Sequence, residues 1–525
     1  MAARPKLSAT DLLTRGYFHD RVIPPLNSLG LLPALPELKA LAKNARSMRS
    51  RCTRHSVPKR KHLRRSLAIP NPLHQTALSL EVEKCWTKLL SACKKSHISL
   101  SVPKLSSERA LETASNINAL PVQRSLRSVG SRYVLKTDLA RFYPSIYTHS
   151  VAWALHGKAK ARADKSLFGN LLDRCLSDTQ DKQTGGIPIG PDTSFLIGEV
   201  MGSAIDAKLQ DSIALRGTRY IDDYSLYFQD QSQAEHALAL LHKVAKEFEL
   251  EVNDPKTEIA PLPEELEPSW KTELRGMHIR DIGPPQVTDL LSLFNRGFDL
   301  ANKFPSDNVL TYVARQVSSS TIDPENWELC EALLMKAALA EPTALPVIIE
   351  ILQTNSGSIS SKANLAEAVW SLCNYHAPLE QGYEVAWALW LAKRQKIDID
   401  PSVAKKVAMM DDDIVALVAL NLQALGLFPT VSMAVWRKAM APQHLYSEHW
   451  LLSYEALEHG WLTAKSDYVA TDPVFSVLRK HHVRFYDAGI TLRVSSSTGY
   501  EDEPEENVER GTLSPEHLLT NGGSA

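Results

Sequence analysis

The chain has 525 residues, 44% hydrophobic and 23% charged, with a formal net charge of −1. That balance fits two or three globular domains and excludes a low-complexity or uniformly basic chain. No stretch runs apolar for the depth of a bilayer, MAARPKLSATDLLTRG has no uninterrupted apolar core, and the six cysteines form no C-x-x-C pair, so a cytoplasmic chain without membrane span, secretory leader, disulfide framework or cysteine-rich zinc site is expected.

Residues 1–40 are rich in Pro and Leu and give no clear pattern. Residues 41–80 form a basic block: from Lys39 to Ser79 there is no acidic residue, which suits a surface that meets polyanions. The block closes in AIPNP, a turn. Residues 75–97 have helical spacing. RYVLKTDL predicts a strand that turns at Pro144 into a helix, and residues 164–180 predict another helix. TGGIPIGPDTSFLIGEVMGSAIDAKLQ is a Gly/Pro-rich loop feeding a helix. RYIDDYSLYF reads as two short strands with Asp222 and Asp223 at the turn. SQAEHALALLHKVAKEFELEVN is an amphipathic helix, and TELRGMHI reads as a further strand.

Past about residue 285 strand signals vanish and helix follows helix to about residue 492, as in stacked HEAT-like hairpins. Within this half, the Asp411–Asp413 run reads as a helix N-terminal cap. Trp387, Trp390, Trp450 and Trp461 suit either a core or base stacking. His444, His449 and His459 are not at ligand spacing. The division expected is residues 1–285, then an all-helical 286–495, then a disordered acidic tail over 496–525.

Two neighbouring carboxylates inside an apolar run repel one another and are costly to desolvate. As a dipeptide alone they suit an exposed turn with two solvated aspartates. With a third acid, Asp138 at the end of YVLKTD, they suit nucleotidyl transfer, in which carboxylates converge on two metal ions about 3.5–4 Å apart. Mg²⁺ takes oxygen ligands, and a bound cation offsets the repulsion.

These motifs, in this order, resemble those of the reverse transcriptases. LKTDLARFYPSIYTHS is similar to palm motif A with Asp138 as first ligand, GGIPIGPDTS to motif B, YIDD to the Y-x-D-D motif with Asp222 and Asp223, and LEVNDPKTEI to motif D with Lys256. VPKRKHLRRSLAIPNPLHQTALS resembles the fingers. The resemblance implies an α+β right-hand polymerase, fingers and palm, with the all-α HEAT-like repeat domain replacing a thumb. It implies that Asp138, Asp222 and Asp223 are catalytic and hold two Mg²⁺ ions, with Mn²⁺ as the alternative. Lys59, Arg65 and Lys256 would bind the triphosphate, and Tyr143 would close off the sugar 2′ side. Gly185, Gly186 and Gly190 would let backbone approach nucleotide and template. Motif B departs from the common PQG, with Ile189 in place of glutamine.

The chain is further similar to bacterial abortive-infection and defence-associated reverse transcriptases, both in these motifs and in the helical half. That resemblance implies DNA synthesis from dNTPs in antiphage defence, on a noncoding RNA template or without template. RNA or single-stranded DNA would be the nucleic-acid partner, and the assembly a trimer or hexamer. Protein priming would need a hydroxyl such as Tyr17, Tyr147 or Tyr224. The competing readings are an RNA-binding regulatory or scaffold protein, and an element-mobilising or genome-maintenance reverse transcriptase.

Overall fold

The computed structural model describes residues 6–60, 63–280, 283–355, 360–487 and 489. The acidic tail expected over 496–525 lies outside them.

The basic block forms a β-hairpin, an element that its dense Lys and Arg content conceals in the sequence. Strand β1 (Thr53–Arg60) pairs antiparallel with β2 (Leu63–Ile69). Val57, Leu67 and Ile69 are buried, while Arg54 and Leu63 lie on the solvent side. The register slips between Pro58 and Arg60, so Lys59 sits at a bulge, a device that re-aims a side chain. The turn AIPNP leads into the helix Pro72–Cys93, capped by the Asn71 side chain accepting from Leu73 N–H. Two short strands follow, β3 (Pro103–Leu105) and β4 (Leu111–Thr113).

The palm is a four-stranded antiparallel sheet made of β5 (Tyr133–Asp138), β6 (Gly217–Tyr220), β7 (Asp223–Phe228) and β8 (Glu258–Pro261), in the order β6-β7-β5-β8. Strand β5 is central, and its Val134 and Leu135 are fully buried. The helices Asp192–Gln210 and Gln231–Glu247 pack on the sheet through Ile197, Val200, Met201, Ala237 and Leu241. TELRGMHI is not a strand: Trp270 and Leu274, four apart, bury one face of a helix Ser269–Arg275, and the fourth palm strand is β8.

From Pro285 to Lys480 the described residues are helical, with no strand among them. Asp412 caps the helix Asp413–Ala424 by accepting from the N–H groups of Ile414 and Val415. Trp387, Trp390 and Trp450 are core residues, while Trp461 is half-buried and stacks on His459 with ring centroids 4.2 Å apart.

The apolar cores do not split at the end of the palm. One contains residues between Leu13 and Leu73 together with residues from Trp270 to Tyr486; the other contains Leu7, Leu12 and residues from Leu78 to Val252. The fingers hairpin is seated on the helical half. Arg64 forms a two-pronged ion pair with Glu384, His55 pairs with Asp412 at 2.8 Å, and Thr53 donates to Asp413 at 3.1 Å. The Trp450 indole donates to the carbonyl of Ile69 at 3.0 Å. The helical half is therefore bonded to this hairpin along both of its strands.

Candidate active site

Strand pairing brings the three acids to one end of the palm sheet. Asp138 ends β5 and stands opposite Asp223, the first residue of β7. Tyr220 pairs with Asp223, leaving Ile221 and Asp222 as the turn between β6 and β7. Leu139 N–H donates to the carbonyl of Asp222 at 3.2 Å and ties the turn to the chain after Asp138.

Ile221 holds this turn in a left-handed conformation, φ 57°. A β-branched residue there costs on the order of 1–3 kcal/mol and persists only when its surroundings enforce it. Ser101 Oγ accepts from Ile221 N–H at 2.8 Å, and Arg219 donates to the Ile221 carbonyl at 2.8 Å. Arg219 is fully buried and pairs with Glu199 at 2.8 Å and Asp206 at 2.7 Å. Glu199 also accepts from Ser99 and Ser101. Gly202 leaves the guanidinium its space, since a Cβ there would lie 2.7 Å from Arg219 Cζ. Arg219, Glu199, Asp206 and Ser101 were not foreseen from sequence. Their signal was a stripe of Glu199, Ser203 and Asp206 at helical spacing inside an otherwise apolar helix.

Burial, then repulsion from Asp223, raises the Asp222 carboxyl to about 7. Asp223, although open to solvent, is pushed up by the protein crowded around it, with Lys256 opposing and Asp138 adding to the rise. Lys256 follows Asn253, whose N–H donates to the Asp138 carbonyl at 2.9 Å, and its ammonium pairs with Asp138 Oδ2. Asp138 Oδ1 is buried without a hydrogen-bond partner. Among the described residues no three His, Cys, Asp or Glu side chains are drawn together as a ligand cluster, and Lys256 supplies the positive charge at Asp138. The donor set is nonetheless hard and anionic, with one orphaned carboxylate oxygen, and it fits a divalent cation with oxygen preference.

The other predicted residues gather around these acids. Lys59 feels both Asp222 and Asp138; burial, then the cations of Arg65 and Lys256, lowers its ammonium below the ordinary lysine range. Burial, then the Asp222 charge, raises the Tyr143 phenol, and Gly198 leaves room for its ring, 3.0 Å from where a Cβ would stand. Gly190, at φ 140°, lies where β2 meets the loop: Ala68 N–H donates to the Ile189 carbonyl at 2.8 Å. Gly186, at φ 81°, has no room for a Cβ, which would lie 2.9 Å from the Pro144 carbonyl oxygen. Gly185 faces open space and bridges to Tyr147. The hydroxyls of Tyr17 and Tyr224 are buried, the first donating to the Pro70 carbonyl, so only Tyr147 of the three candidate primers is partly open.

The unreadable N-terminus supplies a wall of this site. Asp192 N–H donates to the Gly16 carbonyl at 2.8 Å, and the Asp192 side chain and Asp20 both pair with Arg109. His19 lies against Gly190: a Cβ at Gly190 would stand 3.5 Å from the His19 Cβ. Burial, then Arg109, Arg21 and Arg65, pushes its imidazole well below the usual range.

The site is a sheet end with paired carboxylates, flanked by cations and a tyrosine. Residues 75–277 match the family model described as reverse transcriptase (RNA-dependent DNA polymerase), less than half of the chain. That domain indicates RNA-directed DNA polymerase activity, with nucleotides and nucleic acid as substrates, and such domains generally use divalent metal ions. No curated protein matches the chain. Among solved structures, apo telomerase from Candida Tropicalis is similar at 12% identity and TM-score 0.31, covering 70% of this chain and 68% of that one, a likeness too low to bear on fold or function. Among the described residues no helix is long and apolar enough to cross a membrane.

Proposed function

We propose that this protein is a Mg²⁺-dependent DNA polymerase of antiphage defence. Asp138, Asp222 and Asp223 would hold the two metal ions. The observation that carries the reading is the register pair Asp138–Asp223 with Asp222 beside it in an enforced turn. Bound there, the ions would offset charge on the attacking and leaving oxygens. In the transfer, the primer 3′-oxygen bonds to the α-phosphorus as the bond to pyrophosphate breaks. Lys59, Arg65 and Lys256 hold the triphosphate oxygens in this reading. Tyr143, fixed against the helix at Gly198, limits space at the sugar 2′ position. Gly190 lets the backbone pass close to the nucleotide.

The purified full chain with Mg²⁺ and dNTPs should give labelled DNA, and Asp222→Asn or Asp223→Asn should abolish it. Equal product from those variants would overturn the reading and favour the RNA-binding scaffold. Cells carrying the wild-type protein should resist phage in a plaque assay, and cells carrying Asp222→Asn should not; equal plating would separate the chemistry from defence and favour an element-mobilising or genome-maintenance enzyme. Sequencing the nucleic acid that copurifies tests the noncoding-RNA template against untemplated synthesis.

A further inference from the structure

Apart from the residues that hold the acids, the palm carries a basic and aromatic surface with no role in the site above. A cavity of about 340 Å³ opens between the helices Pro72–Cys93, Thr148–His156 and Phe168–Asp178, with Thr87, Lys88, Ser91, Lys95, His156 and Phe168 among its walls. None of the candidate site residues lines it. Lys88 places its ammonium over the Phe168 ring, 5.0 Å from the centroid, and the His156 ring meets Phe168 edge-on at 4.5 Å. Next to it the helix Lys158–Ala163 presents Lys158, Lys160 and Arg162 to solvent. Lys158 and Arg162 lie over the half-buried Trp153 at 4.1 and 5.9 Å.

The charge is one-sided. From Trp153 to Phe168 the sequence has Lys158, Lys160, Arg162 and Lys165 against Asp164 alone. Asp164 is held by Ser166, and Glu249 pairs with Lys158 at 3.7 Å. Burial first, then Lys160 and Lys88, lowers the His156 imidazole below the usual range, with Asp164 opposing. Its Nε2 accepts from Gly169 N–H at 3.2 Å, so the ring is oriented and uncharged. Lysines exposed around aromatic faces suit a ligand with a repeating anion and a planar group at each repeat.

We propose that this face is a second binding site, for single-stranded nucleic acid, with phosphates on Lys88, Lys95, Lys160 and Arg162 and bases against Phe168 and Trp153. The strand would be product DNA or template RNA of the palm, so the proposal takes the source of the strand from the polymerase reading but not the existence of the site. A chain with net charge −1 gains from concentrating cations here, because the local field and not the global charge captures a polyanion.

The test uses the full chain in EDTA, fluorescein-labelled oligo-dT and oligo-U of roughly twenty nucleotides, and anisotropy across a salt series. The surface variant Lys88→Glu/Lys95→Glu/Lys160→Glu should bind at least about tenfold more weakly, with the logarithmic salt slope reduced by about two. Its dNTP incorporation on a short primer-template should match wild type. Photocrosslinks from whichever oligomer the variant loses, carrying 4-thiothymidine in oligo-dT or 4-thiouridine in oligo-U, should fall in residues 153–168. Asp222→Asn should bind as wild type does, so a failed polymerase reading leaves this result standing. Loss with oligo-dT alone identifies product DNA as the ligand, and loss with oligo-U alone identifies RNA. Unchanged affinity in both arms, or crosslinks confined elsewhere, overturns the site. Should the triple variant melt early, Lys88→Glu alone and the crosslink map decide.

Discussion

Asp138 and Asp223 face one another as paired residues of adjacent antiparallel strands, with Asp222 one residue further into the turn. Putting three carboxylates there costs stability. Asp222 titrates at about 7, above its ordinary value of 3.8, because burial and Asp223 disfavour its charge. A carboxyl raised by folding weakens the protein as pH climbs: the penalty is absent below about 3.8 and fully developed above about 7. Asp222→Asn should therefore end incorporation yet stabilise the metal-free protein at pH 8, by on the order of 1–3 kcal/mol. Urea unfolding in EDTA should show that gain at pH 8 and little of it at pH 4. A loss of stability at pH 8 would contradict the repulsion.

The turn that carries Asp222 depends on Arg219. Arg219→Met would leave Glu199 and Asp206 buried without their cation, and breaking a buried pair from one side costs about 3–5 kcal/mol. Gly202→Ala acts on the same group by space alone, since the new Cβ would meet the guanidinium. Both should lower the thermal midpoint and cut incorporation, because Ile221 loses the donor on its carbonyl. Gly202→Ala with normal melting and normal incorporation would show that the brace is dispensable.

What was legible in the sequence was the set of acids at strand ends. Asp138, Asp222 and Asp223 stood out because an acid beside an apolar strand run is costly to bury, whereas Lys256, in the 3-10 turn Asp254–Lys256, was reached only through the resemblance of LEVNDPKTEI to a family motif. The network beneath them was not legible: Arg219 and Glu199 are 20 residues apart in the chain, and only the fold shows that both are dry. The fingers hairpin was hidden because Arg54, Lys59, Arg64 and Arg65 mask the alternation of its strands. TELRGMHI misled because its short apolar spacing fits period two as readily as the four-residue step of Trp270 and Leu274. The wall made by residues 16–20 had no pattern at all, since its contacts are backbone bonds to Asp192 and one shared arginine.

The seat of the fingers on the helical half predicts a kinetic effect at a distance. Arg64 neighbours Arg65 on β2, and Glu384 lies nearly buried beneath it. Glu384→Gln removes the charge that anchors the hairpin and should destabilise by about 1–3 kcal/mol. Arg65 and Lys59 then lose a fixed position, so the KM for dNTP should rise several-fold with kcat changed little. A fall in kcat at unchanged KM would place the effect on the acids and not on the cations proposed to hold the triphosphate.

A second tie between the halves responds to pH. His449 donates from Nδ1 to Asp413 at 2.9 Å, and the same carboxylate accepts from Thr53 on β1 and from Leu452 N–H. The bond to Asp413, against the pull of burial, raises the imidazole from 6.5 to about 9. A histidine raised by folding contributes stability that is whole below pH 6.5 and is lost as pH climbs through about 9. With His449 mostly shielded, that contribution is on the order of 2–3 kcal/mol. The unfolding midpoint in urea should therefore fall between pH 6.5 and 9, and His449→Gln should flatten that slope while lowering stability at pH 6. Thr53→Val should lower stability at both pH values by about 1 kcal/mol and leave the slope, because its hydroxyl gives a hydrogen bond but takes no proton. A wild-type profile already flat across this window would mean that Asp413 is satisfied by its backbone donor and Thr53 alone.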